Sequence, residues 1–145
     1  MNNVSRCLLG LLVAGVVHAD EQTAVSISGS LTGSNGRARV VANTTDNEFL
    51  VGWVNRSQKK AYVRVVAASG TPLGQPTVIS TKSAGEVTSM AYATSTNDYL
   101  VVWQTATSGK SANTLYAQRV GADGQAVGNP IKVAADSKKL DMVEV

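Results

Sequence analysis

Apolar residues in this chain come in short runs separated by polar turns. One run appears twice. Asn47-Glu48-Phe49-Leu50-Val51-Gly52-Trp53 returns fifty positions later as Asn97-Asp98-Tyr99-Leu100-Val101-Val102-Trp103. Each copy is a polar turn followed by an almost unbroken apolar stretch ending in tryptophan. A stretch of that kind suits a strand covered on both faces. β-Branched and aromatic residues fill the other runs, and Gly, Pro, Asn and Asp separate them. No segment sustains a 3.6-residue period, so no helix is predicted.

The surroundings of the motif recur as well. Thr23 to Ser28 alternates small apolar and polar residues and reads as a strand (23–28), and Gly29 to Gly36 reads as a loop. A first unit, about 37–80, holds predicted strands at Arg39–Ala42, Phe49–Trp53, Ala61–Val66 and Thr77–Ser80. A second unit, about 87–134, holds them at Thr88–Ala93, Tyr99–Trp103, Leu115–Val120 and Ile131–Ala134. Residues 141–145 fall where the first strand of a third unit would begin. Matching the copies sets Gly124 against Gly70, Gly128 against Gly74 and Pro130 against Pro76. It also sets Arg119-Val120 against Arg64-Val65 and leaves Tyr62 where the second copy has Ala117. The spacing is fifty residues up to the tryptophan and about fifty-four beyond it, because the second copy is longer between Gln104 and Thr114. The expectation is an all-β chain with two four-stranded antiparallel blade-like sheets.

The second copy is the clearer one: Tyr99 to Trp103, Leu115 to Val120, Gly124, Gly128 and Ile131. It resembles a propeller-type repeat that occurs in tandem in secreted bacterial proteins. The first copy, Phe49 to Val78, follows it more loosely and departs from it at Gly52. The resemblance implies secretion and a propeller-like sheet, and carries no single activity with it. Propellers use about four to eight blades, so two units do not close one. Three arrangements stay open: several chains completing a ring as a homo-oligomer, two sheets packed as a sandwich, or a portion of a longer reading frame.

The amino terminus adds a compartment. Arg6 precedes an apolar stretch, Cys7 to Val17, and Val17-His18-Ala19 ends it with small residues where a signal peptidase reads. That layout predicts a signal peptide over 1–19 and a β-repeat domain over 20–145, placed in the periplasm or outside the cell. No stable membrane span is expected once the leader is cleaved. Cys7 and His18 are the chain's single cysteine and histidine, and both leave with the leader. Cysteine or serine nucleophiles paired with histidine, thiolate or imidazole metal sites and disulfides are therefore not expected in the domain. Without Arg6, twelve Lys and Arg stand against ten Asp and Glu, a net charge of about +2. The cations are scattered and lack the concentrated stripe of a nucleic-acid binder, so no nucleic-acid partner is expected.

Candidate chemistry is sparse. Trp53 and Trp103 could stack on sugars, but their repetition at one place in both units marks core anchors. Arg64 and Arg119 read as strand arginines that pair with Glu48 or Asp98, or with turn carbonyls. Asp46-Asn47 and Asp123-Gly124 are ordinary turn chemistry without the oxygen spacing of a calcium loop. Asn43-Thr44-Thr45 and Asn55-Arg56-Ser57 match the short glycosylation sequon. Glu48, Glu86, Asp98 and Asp123 sit beside turns, with no apolar pocket in the pattern to raise an acid's pKa. No catalytic residue, metal site or cofactor is expected.

Recognition is expected where the copies disagree. Turns one-to-two and three-to-four are alike in both units, whereas the two-to-three loops differ. In an up-and-down unit, the two-to-three and four-to-one loops share one end. That end would carry ligand contacts from Arg56, Lys59, Lys60, Lys82, Lys110 and Asn113. The expected function is an exported, non-catalytic binding or interaction module that recognises a glycan or a surface protein. The alternative is a fragment or self-assembling portion of a larger propeller, adhesin or glycosidase-like, whose activity lies elsewhere.

Overall fold

The computed structural model describes residues 24–105 and 113–136. The signal peptide expected over 1–19, Lys110 and the strand expected over 141–145 lie outside the described residues, as does Thr23. The described chain is all-β. It forms two four-stranded antiparallel sheets, neither closed on itself. Sheet 1 has β1 (Arg39–Asn43), β2 (Glu48–Asn55), β3 (Lys60–Ala67) and β4 (Thr77–Val78), hydrogen-bonded in that order. Sheet 2 has β5 (Ala84–Ala93), β6 (Asp98–Thr105), β7 (Asn113–Gly121) and β8 (Ala126–Asp136), again in sequence order.

Local chemistry makes the turns. Asn43 Oδ1 accepts from the backbone N–H groups of Thr45 (2.9 Å) and Asp46 (3.0 Å), which curls the chain after β1. Asn47 (φ 55°) and Asn97 (φ 52°) then take the left-handed conformation that asparagine tolerates better than most residues. These two turns lie at one end of their sheets, the turn end. The β2–β3 turn and the β4–β5 connection lie at the other, the loop end, where the Ala84 N–H donates to the Lys59 carbonyl (2.8 Å).

The expected strand over 23–28 does not form among its described residues. Residues 27–30 are a turn, with Gly29 at φ 59° and the Leu31 N–H bonded to the Ser28 carbonyl (3.2 Å). The alternation of small apolar and polar residues was strand-like. The carbonyls of Ser26 and Ile27, however, are taken by the Arg64 guanidinium, at 3.5 and 2.9 Å, and not by a strand edge.

Pairing also corrects the match between the two units. Glu48 lies opposite Ala67 and Val51 opposite Arg64, whereas Asp98 lies opposite Gly121 and Val101 opposite Gln118. Beyond the tryptophans, corresponding positions are therefore fifty-four apart throughout. Arg64 corresponds to Gln118 and Arg119 to Val65, so the two arginines are not equivalent. Tyr62 corresponds to Tyr116, not Ala117. The stacked pairs Trp53–Tyr62 (5.8 Å between ring centroids, 17°) and Trp103–Tyr116 (5.7 Å, 20°) agree with that register.

The sheets pack through unlike faces. The core joins Leu50, Val54, Ala61, Val63 and Val65 of sheet 1 to Ala84, Val87, Tyr99, Val101, Trp103 and Val120 of sheet 2, together with Ile79, which follows β4. In β2 the positions that enter this core, Leu50 and Val54, are even-numbered, while Trp53 and Asn55 are buried from the other face. In β6 the core positions are the odd-numbered ones. Leu50 is 0% exposed and its counterpart Leu100 is 42% exposed; Tyr99 is 1% exposed and its counterpart Phe49 is 38% exposed. One sheet thus presents its front to the back of the next. β5 comes closest, passing β1, β2 and β3. Gly52 belongs to this contact: a Cβ there would stand 2.8 Å from Met90 Sδ and 3.6 Å from Val87 Cγ1. The departure from the pattern at Gly52 is thus a space for Met90. Fully burying a Val or Leu contributes about 1.5–3 kcal/mol, so the several such residues buried here hold the two sheets together.

Candidate functional site

The loop end assembles most of the expected contact residues. β1 begins there, β2 ends there and β3 begins there. Arg56, Lys59, Lys60 and Lys82 are all exposed, and Lys59 is held at φ 53°. The bond between Ala84 and Lys59 brings the β4–β5 connection, which carries Lys82, against the β2–β3 turn. On the other side, Arg56 N–H donates to the Ser34 carbonyl (2.7 Å) and Ser34 N–H to Ser57 Oγ (3.0 Å). The stretch before β1 is thereby tied to the same end. Asn113 opens β7 there, where the neighbouring Thr114 N–H donates to Thr105 Oγ1 (3.1 Å).

Charge separates along the strands. With the lysines and Arg56, the loop end carries exposed Arg37 and half-buried Arg39, both preceding or opening β1. Two acidic residues lie toward that end among the described residues, Glu86 near the start of β5 and Asp136 at the end of β8 opposite Asn113. The turn end carries Asp46, Glu48, Asp98 and Asp123. Arg119 is there too, paired with Asp98, so its charge is compensated. Arg37 adds a further exposed cation to this end, beyond those expected from the sequence. Its signal was present, since a basic residue just before a first strand falls at the end where the second strand finishes.

The aromatic and sequon candidates are used up inside the fold. Trp53 and Trp103 are buried beneath their stacked tyrosines, so neither indole offers a face to a sugar. Both Nε1–H groups lack a hydrogen-bond partner. Asn43 and Asn55, the asparagines of the two sequons, are buried as well. The Asn55 amide donates to the Thr32 carbonyl (2.9 Å) and its Oδ1 accepts from Gln58 N–H (2.9 Å).

At the turn end a polar cluster ties the sheets together. Asn43 Nδ2 donates to Asp46 Oδ2 (3.1 Å) and across to Asn97 Oδ1 (3.0 Å). Asn97 Nδ2 donates back to Asp46 Oδ2 (2.9 Å), and the Tyr92 hydroxyl reaches Asn97 Oδ1 (2.8 Å) and Thr45 Oγ1 (2.5 Å). Every member is occupied by another, which makes the cluster a fastening. Beneath it, burial pushes the Tyr99 phenol above its ordinary value near 10, with Asn43 opposing in part. The Tyr99 hydroxyl makes no hydrogen bond of normal geometry.

A cleft of about 190 Å³ opens between the sheets, lined by Glu48, Arg64, Leu73, Gly74, Thr77, Asp123 and Gln125, among others. Its polar groups are largely committed. Arg64 Nη2 donates to the Gly74 carbonyl (2.6 Å), Gln125 Nε2 to Thr77 Oγ1 (3.1 Å), and Asp123 Oδ1 accepts from Gln125 N–H (2.9 Å). Among the described residues, no group of three or more His, Cys, Asp or Glu is arranged to hold a metal ion. No described helix is long and apolar enough to cross a membrane. No protein-family model matches the chain, and neither a curated protein nor a solved structure does.

Proposed function

We propose that the chain is an exported, non-catalytic binding module of propeller-blade type that presents its basic loop end to an anionic surface glycan. What supports this reading is the separation of charge along the strands. Arg37, Arg56, Lys59, Lys60 and Lys82 are exposed at the loop end, while Asp46, Glu48, Asp98 and Asp123 gather at the other. Clustered cations with their heads in water attract carboxylate or sulfate groups over roughly a Debye length, about 8–10 Å at ordinary salt. The sheets behind them supply rigidity, as a scaffold does for recognition loops.

The test is binding to an immobilised acidic polysaccharide, beside a neutral polysaccharide of similar length, across a salt series. Binding to the acidic chain alone, weakened by salt and lost in a variant with Arg56, Lys59, Lys60 and Lys82 all changed to Ala, is the expected result. The same affinity in that variant, with loss on changing Asp46 and Asp123 to Ala, would overturn the assignment of the end.

A further inference from the structure

The junction between the two sheets joins unlike faces, so each outer face is the counterpart of a face already buried. The open face of sheet 2 carries Leu100 (42% exposed), Val102 and, opposite Ala117 on the same face, Ile131 (64% exposed). Their counterparts in sheet 1 are Leu50, Gly52 and Thr77, on the face that packs against sheet 2. The open face of sheet 1 carries Val40 (61% exposed), Phe49 (38% exposed) and Val51. Their counterparts are Met90, Tyr99 and Val101, the residues that meet Leu50 and Gly52 in the internal junction. The exposed part of sheet 1 is thus the part that the internal junction uses. The rest of that face is closed: Trp53, Tyr62 and Val66 are buried, and the Ser26–Ile27 backbone sits on Arg64.

We propose that the occupant of these faces is a second copy of this chain. Sheet 2 of one molecule seats Leu100 and Val102 on Val40, Phe49 and Val51 of sheet 1 of the next. Side-chain volume agrees with that docking. Inside the molecule, an empty position at Gly52 receives the long Met90 side chain. Between molecules, the corresponding pair is Val102 and Val40, two middle-sized residues in place of none and one large. The exchange keeps the combined bulk and avoids both a void and a clash. The polar fastening is different. Asn43, Asp46 and Tyr92 have Ala93, Thr96 and Ala42 as their counterparts, so the intermolecular junction is apolar and has no such cluster.

A contact between unlike faces closes into a ring when its rotation allows and runs on as a fibre when it does not. Two, three or four copies supply four, six or eight sheets, the range over which sheets of this size close around an axis. The assembly is a ring of two to four chains. It is independent of the glycan reading, because it is measured by size with no ligand present.

The test is sedimentation velocity on the mature chain across a concentration series, with variants Leu100→Glu and Val40→Glu. Wild type is expected at two to four times the monomer mass, and each variant at monomer mass with an unchanged far-ultraviolet circular dichroism spectrum. Mixing the two variants leaves one intact junction and gives a dimer. Ile131→Glu and Phe49→Glu repeat the experiment at neighbouring positions, should either first variant fold poorly. A wild-type monomer at every concentration overturns the proposal, and so does a Val40→Glu variant that assembles alone, since that would mean like faces pairing. A monomer whose Leu100 face is shielded by residues 20–23 or 137–145 of its own chain overturns it as well.

Discussion

Arg64 and Gln118 hold corresponding positions in the two sheets and perform one task with different chemistry. Arg64 donates to the carbonyls of Leu73 (3.5 Å) and Gly74 (2.6 Å). Gln118 Nε2 donates to those of Val127 (2.9 Å) and Gly128 (3.2 Å), fifty-four residues further on in each case. Gly74 and Gly128 both have positive φ, 58° and 71°, so both connections bend away from regular pairing and expose carbonyls that need a donor. Sheet 2 covers its donor, which suits a neutral amide. Sheet 1 leaves the donor half-exposed, and there a guanidinium keeps its hydration and also reaches the Ile27 carbonyl (2.9 Å).

That difference sets the cost of removing each. Gln118→Ala removes a fully buried side chain together with its donation to the Val127 and Gly128 carbonyls and should destabilise the fold by about 1–3 kcal/mol. Arg64→Ala lets water replace the lost donor and should cost no more than about 1 kcal/mol. Urea denaturation of the two variants checks the order, and a larger loss for Arg64→Ala would refute it.

Gly52 and Met90 should behave as one unit. Gly52→Val forces a side chain into the space held by Met90 Sδ and is expected to cost about 1–3 kcal/mol. Met90→Ala alone leaves a void and also destabilises. The double variant should be more stable than the sum of the two losses predicts. Additive losses in a double-mutant cycle would show that the two side chains do not share the space.

The turn-end fastening can be separated from turn strain by using glycine. Asn97→Gly keeps the left-handed backbone available and removes the bonds to Asn43, Asp46 and Tyr92. A loss of about 1–2 kcal/mol in thermal or urea unfolding is expected. Asn47→Gly, where the corresponding asparagine makes no such bonds across the sheets, should stay within about 0.5 kcal/mol of wild type. Equal effects at the two positions would assign Asn97 to its turn alone.

Tyr99 carries an alkaline dependence. Its folded pKa is raised by burial, so the folded and unfolded chains hold the same proton below pH 10. Above that value the unfolded chain releases the proton while the folded chain retains it. Stability is therefore full below pH 10 and falls as pH rises through the folded pKa. Tyr99→Phe should remove that part of the decline and change neutral-pH stability little, since the hydroxyl makes no hydrogen bond of normal geometry. Unfolding curves between pH 8 and about 11 for the two proteins give the comparison.

The strands were legible because their runs are rich in β-branched and aromatic residues and are bounded by turn residues. The faces were not. Phe49-Leu50-Val51 and Tyr99-Leu100-Val101 are apolar on both sides, so nothing in them says which side meets the other sheet. The register beyond the tryptophans slipped because Arg64-Val65 and Arg119-Val120 match by residue type. Function at that position is the supply of N–H donors, which glutamine shares with arginine and an alignment by identity does not see. Thr23 to Ser28 had the alternation of a strand, but Arg64 already holds the carbonyls of Ser26 and Ile27. Arg56, Lys59, Lys60 and Lys82 share one end of the sheets, a grouping that follows from counting strand direction; their contact with a ligand is a proposal. The same count applied to Arg37 would have placed it at that end.

Among the described residues, the opposition of basic loop end and acidic turn end makes an electric dipole along the strands. The field of a negatively charged layer would exert a torque on that dipole and turn the loop end toward the layer. Both open sheet faces would then stand perpendicular to the layer, free for contact with neighbours side by side. Orientation would come from the field, and lateral order from the sheets.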